Sequence, residues 1–126
     1  MGNAAMKGTH RALGADGERW AAEELQRRGW TIVARNWRCA RGEIDLIARD
    51  GDCLAIIEVR TRRGERFGPA EESITATKRA RLIALAEAYV AESGWQGPWR
   101  IDVVAIACDR AGDVVRFTHF PSAIEG

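Results

Sequence analysis

"GEIDLIARDGDCLAIIEVRTR", residues 42–62, consists of two apolar runs with acids set inside them. Runs rich in Ile, Leu and Val on either side of "DGD" read as two β-strands, Glu43 to Arg49 and Cys53 to Arg60, closed by a tight turn. Side chains alternate across a strand, which predicts Glu43, Asp45 and Ile47 on one face and Ile44, Leu46 and Ala48 on the other. In the second strand Leu54, Ile56, Glu58 and Arg60 share a face. A turn at Asp50-Gly51 sets Asp45 opposite Ile56, and a turn at Gly51-Asp52 sets it opposite Glu58. In either register Asp45 and Glu58 lie on one face, roughly 5–8 Å apart at Cβ.

Two like charges on a half-apolar face are unfavourable unless something positive compensates them. Arg60, two residues beyond Glu58, offers one cation, and a divalent metal offers another. Carboxylates on a rigid hairpin, with water and a substrate phosphate completing the shell, suit Mg²⁺ or Mn²⁺. Such an ion polarises a phosphate and activates water. The competing reading is an ion-pair cluster of Asp45, Glu58 and Arg60, or strands with one solvated face. Asp102 in "WRIDVVAI" repeats the pattern of "EIDLIA". A lone strand acid of that kind is more often exposed or hydrogen-bonded than a ligand, and it is left outside the site.

Outward from the hairpin, Leu13, Trp20, Ala21, Glu24 and Leu25 fall near one face of a helix. It starts near Ala12 or Gly14 and ends at Arg28, with Gly29 as its stop. "WTIVARNW", 30–37, reads as a strand, and 38–41 as a turn. After a loop containing Gly64, Gly68 and Pro69, a second helix spans Thr75 to Glu92, with Thr75 as N-cap and Gly94 as stop. Strands follow at 99–107 and 114–120. The order α-β-β-β-α-β-β predicts an α/β fold, a mixed sheet flanked by helices, in a single domain over 1–126 with residues 1–11 as an N-terminal tail.

The chain of 126 residues is 46% hydrophobic and 29% charged, a globular composition. Its three cysteines are widely spaced with no CxxC, so neither a disulfide framework nor a zinc site is signalled. With no apolar run of membrane-spanning length and no signal-peptide core, a cytoplasmic protein without membrane contact is expected. The net charge of +1 hides local clusters. Five arginines and no acid lie between Gln26 and Arg41, and seven bases face three acids between Val59 and Arg81. Such clusters are either solvated faces or a phosphate-binding rim. Trp20, Trp30 and Trp37 read as packing residues. His10 and His119 stand apart, with no Ser-His-Asp or Cys-His pattern around them.

"GERWAAEELQRRGWTIVARNWR", "GEIDLIARDGD", "IIEVRTRRGERFG" and "TKRARLIALAEAYV" resemble the bacterial YraN family. That family is similar to Holliday-junction resolvases and to the restriction-endonuclease-like PD-(D/E)xK nucleases. The resemblance implies a metal-dependent endonuclease that hydrolyses phosphodiester bonds in DNA, structured or branched, with Mg²⁺ or Mn²⁺ as cofactor. It implies Asp45 and Glu58 as catalytic metal ligands, with Glu18 joining them from the first helix. The motif's lysine position is Arg60, which supplies positive charge and two-pronged phosphate contact but cannot accept a proton. Lys78 is a substitute cation, although a solvent-facing lysine is the simpler expectation. Arg62, Arg63 and Arg66 follow the catalytic strand and, with Lys78, make a nucleic-acid-binding mouth. Related resolvases are dimers, so a homodimer is compatible with the resemblance. The alternative function is a nucleic-acid-binding module that keeps the nuclease fold and has lost turnover through the Arg60 change.

Overall fold

The computed structural model describes residues 13–64 and 74–124. The elements are α1 (Leu13–Arg27), β1 (Thr31–Cys39), β2 (Gly42–Asp50), β3 (Cys53–Arg63), α2 (Ala76–Ser93), β4 (Trp99–Cys108) and β5 (Val114–Ile124). This is the expected α-β-β-β-α-β-β order in a mixed α/β fold. The predicted ends mostly fall within a few residues of those observed. The 38–41 turn shortens to Ala40 and Arg41 because β1 runs on to Cys39. The tail at 1–11 and Arg66 lie outside the described residues.

The five strands form one sheet in the order β1-β2-β3-β4-β5. β3 and β4 run parallel, and the other neighbours pair antiparallel. A parallel pair needs a crossover, which α2 supplies. Because both faces of the central strands are covered, β3 carries Leu54, Ala55, Ile56 and Ile57 as an unbroken buried run. On one face Ile47, Leu54, Ile56, Ile101 and Val103 pack with Leu82, Leu85 and Ala86 of α2. On the other, Leu46, Ala48, Ile57, Val104 and Ile106 pack with Ala21, Ala22 and Leu25 of α1.

The hairpin selects one of its two registers. Asp50 pairs with Cys53 and Leu46 with Ile57, so Gly51-Asp52 is the turn, with Gly51 at φ 62°. Extended by one step, that register sets Asp45 opposite Glu58. The predicted two-face alternation of β2 fails at one place. Ile44 packs in the α2-side cluster together with Ile47, rather than with Leu46 and Ala48. The slip coincides with Asp45 and, opposite it on β1, Asn36 at φ 52°. A left-handed residue in a strand breaks the period of two, and Asn tolerates that conformation better than most residues.

Candidate functional site

Four acids from three elements line one cleft of about 420 Å³: Glu18 of α1, Glu43 and Asp45 of β2, and Glu58 of β3. α1 comes this close because its first turns press on β3 at Gly17, where a Cβ would collide with the Thr61 hydroxyl. Glu18 is the next residue. Asp45 sits where the β2–β3 ladder stops, and its Oδ2 accepts the Val59 amide at 2.8 Å, so the carboxylate replaces the next backbone partner. α2 enters from the opposite side. Thr75 caps it by accepting the Lys78 amide at 3.1 Å, which fixes the first turn. From there Lys78 Nζ reaches Glu58 Oε2 at 3.0 Å, and Arg60 Nη1 stands 3.6 Å from the same oxygen.

Oxygens of Glu18, Glu43 and Asp45 lie within 4.8 Å of one another. Around an octahedral Mg²⁺ with ~2.1 Å bonds, trans ligands stand about 4.2 Å apart and cis ligands about 3.0 Å, and three ligands include at most one trans pair, so the three carboxylates would draw inward to share one ion. The donors are all hard oxygens, the set that Mg²⁺ and Mn²⁺ prefer. Asp45 feels the crowding. Burial pushes its carboxyl up to about 8, the Val59 amide opposes that, and the charges of Glu58 and Glu18 add to the rise. Glu58 lies outside the trio of close oxygens, and its charge is met by Lys78 and Arg60 instead.

The segment that carries this cleft is also the segment shared with other proteins. A model of the "Uncharacterised protein family UPF0102" matches residues 17–106. The chain belongs to the UPF0102 family. A UPF0102 protein of Roseiflexus castenholzii is 53% identical over 123 residues, covering 95% of this chain and 98% of the relative. One from Pelotomaculum thermopropionicum is 45% identical over 119 residues, covering 94% and 99%. One from Nocardia farcinica is 52% identical over 102 residues, covering 79% of each.

In this UPF0102 protein the residues singled out from sequence fall into two groups. Glu18, Asp45, Glu58, Arg60 and Lys78 gather at the cleft. Lys78 corrects the solvent-facing expectation: it is half-buried against Glu58, because the first turn of α2 lands over that part of β3. Arg62 and Arg63 belong to β3, which runs three residues past its expected end at Arg60. Arg63 donates through Nε to the Arg110 carbonyl at 3.0 Å, which ties it to the β4–β5 turn. Glu43 and Asn36 were missed as site residues. Asn36 looked like an ordinary strand residue, and its only sequence signal is a turn-favouring residue type inside a strand.

A second polar centre lies away from the cleft. Asp102 is fully buried and accepts from Arg100 Nε at 3.0 Å to each oxygen, from His119 Nε2 at 2.7 Å and from the Ser122 amide at 2.9 Å. A carboxylate only accepts, so Nε2 of His119 carries the proton. Burial pushes the Asp102 carboxyl up, but His119, Ser122 and Arg100 outweigh it and hold the group below its ordinary range. His119, which stands alone in sequence, is thus the partner of Asp102, brought there by β4–β5 pairing. Among the described residues no helix is long and apolar enough to cross a membrane.

Proposed function

We propose that this protein is a metal-dependent endonuclease acting on phosphodiester bonds in DNA, with structured or branched DNA as its substrate. The observation that carries the reading is the separation of labour in the cleft. Glu18, Glu43 and Asp45 present hard oxygens to one point, while Lys78 and Arg60 converge on the neighbouring Glu58. The nuclease-like resemblance of the "GEIDLIA" and "IIEVR" motifs supports the same assignment. A divalent ion held by Asp45 and Glu18, with Glu43 and Glu58 in reach, would supply Lewis-acid polarisation of the phosphate and activation of water.

The chain's own groups do the rest. Asp45 is held on the Val59 amide, so its second oxygen keeps a fixed direction. Arg60 on β3, 3.6 Å from Glu58, would offer a fork of donors where phosphate oxygens gather charge. Lys78 brings an ammonium from α2 to the place where the motif's strand lysine would act, so loss of lysine at position 60 leaves an amine in the cleft. Arg81 on the cleft wall extends the positive rim. A branched duplex with two-fold symmetry would need two copies of the chain for two cuts.

The test incubates purified protein with four-way junction, flap and linear DNA in Mg²⁺ or Mn²⁺. The wild type is expected to cut the branched substrates. Asp45→Asn and Lys78→Met are each expected to lower the rate ~100–1,000-fold, the range for removing one electrostatic contributor. No cutting by the wild type, or full activity of Asp45→Asn, would overturn the assignment. Arg60 itself favours a second reading, a DNA-binding module without turnover. That reading predicts salt-sensitive binding without cleavage, and new activity in Arg60→Lys.

A further inference from the structure

Asn36 sits on β1 between the pairs Arg35↔Leu46 and Trp37↔Ile44, which puts it opposite Asp45. Its Nδ2 donates to Glu18 Oε1 at 2.7 Å and to Glu43 Oε2 at 2.6 Å. Ionised carboxylates only accept, so the NH₂ side of the carboxamide must face them, and its two protons serve two acids from different elements. Its backbone is left-handed at φ 52° within a strand, a sparsely populated conformation that persists only where the surroundings enforce it. Those surroundings are the two hydrogen bonds and the slip in β2 that takes Asp45 out of the ladder.

A neutral clamp has a chemical consequence that a cation would not have. Lysine or arginine between Glu18 and Glu43 would cancel the charge that a metal ion needs, as Lys78 and Arg60 do for Glu58. A carboxamide holds the two oxygens together and leaves both negative charges for an incoming cation. Arg38, also on β1, approaches Glu43 Oε1 at 3.3 Å, but from a largely exposed position where water screens it.

We propose that Asn36 is a positioning residue of the carboxylate centre, its amide clamping Glu18 to Glu43 so that both meet one divalent ion beside Asp45. The inference rests on the metal-dependent reading above. Outer partners that orient metal ligands commonly change affinity ~10–100-fold when removed. Asn36→Gly separates amide from backbone, since glycine adopts the left-handed conformation freely and supplies no donor. Asn36→Asp tolerates the same backbone and sets a third acid against the pair.

Mn²⁺ binding to the full chain would be measured by electron paramagnetic resonance, with cleavage rates over a Mn²⁺ titration and melting temperatures in EDTA measured alongside. Asn36→Gly is expected to bind Mn²⁺ ~10–100-fold more weakly and to need correspondingly more Mn²⁺ for half-maximal cleavage. Asn36→Asp is expected to melt lower in EDTA and to recover with Mn²⁺, which keeps the inference open to test if the glycine variant folds poorly. Equal Mn²⁺ affinity in wild type and Asn36→Gly, or no metal recovery in Asn36→Asp, would overturn the role of Asn36 and leave the metal reading standing. A wild type that binds no Mn²⁺ would overturn both.

Discussion

Asp45 and Asp102 are aspartates of one sheet, each within a pattern of acid among aliphatics, yet their surroundings are opposites. Asp102 has its cation built in, with Arg100, His119 and the Ser122 amide converging on two oxygens that see no solvent. Asp45 has one backbone donor and otherwise faces Glu18, Glu43 and Glu58. The same chemistry is therefore held below its ordinary ionisation range in one place and raised to about 8 in the other. A buried acid supplied with its own positive partners is complete, and serves to fix β5 against β4. A half-buried acid grouped with other acids has, among the described residues, no such partner. That difference, more than burial or motif, separates a structural aspartate from a ligand.

Breaking the complete centre should have the largest effect. Asp102→Ala leaves the half-buried Arg100 guanidinium only its contact with Asp50 and takes the acceptor from the His119 imidazole and the Ser122 amide, so a loss on the order of 3–5 kcal/mol in chemical denaturation is expected. An Asp102→Ala loss no larger than that of a surface substitution would erase the contrast. The second effect is a pH slope of opposite sign. Between pH 4 and 8 folded Asp45 binds a proton that the unfolded chain does not, so its contribution to stability falls as pH rises. At about 1.4 kcal/mol per pH unit, wild type should lose on the order of 2–3 kcal/mol relative to Asp45→Asn between pH 5 and 7, measured in EDTA. Asp102 works the other way. Its folded value is depressed, so its stabilisation is full above pH 4 and fades only as pH falls through the acid range. Parallel pH curves for wild type and Asp45→Asn would show that the two acids do not differ as described.

Sequence reasoning reached the elements because their signals are local. The "DGD" turn, Thr75 as cap and Gly94 as stop each act within a few residues, and period-two and helical spacing are read over one element at a time. It also brought Glu18, Asp45 and Glu58 together, by hairpin register for two of them and by resemblance for the first. Three features escaped it, each for a non-local reason. The slip that sends Ile44 to the α2 side depends on the left-handed conformation of Asn36 on a neighbouring strand. Lys78 turns inward because the α2 crossover lands its first turn over Glu58, a matter of how β3 and β4 pair. His119 acquires a function only when β5 folds back beside β4, 17 residues beyond Asp102 in the chain.

The smallest expected effect tests how Glu18 comes to stand near Asp45 at all. Gly17 lies within α1, where glycine ordinarily costs about 1 kcal/mol relative to alanine, so Gly17→Ala on an exposed helix face would stabilise. Here the added methyl meets the Thr61 hydroxyl of β3. Overpacking of that kind costs ~1–3 kcal/mol, which cancels or reverses the gain and gives a net loss on the order of 1 kcal/mol. Removing the obstacle by Thr61→Ala in the same chain should restore stability, a coupling that a double-mutant cycle reads directly. The same substitution bears on the contrast between the two aspartates. If α1 moves off β3, Glu18 moves away from Asp45, one source of the raised ionisation weakens, and the EDTA pH slope of Gly17→Ala should be shallower than that of wild type. Asp102 receives nothing from Glu18, so the acid-side behaviour of the protein should not change. A Gly17→Ala variant that is more stable than wild type, with an unchanged slope, would mean that α1 does not owe its approach to this glycine.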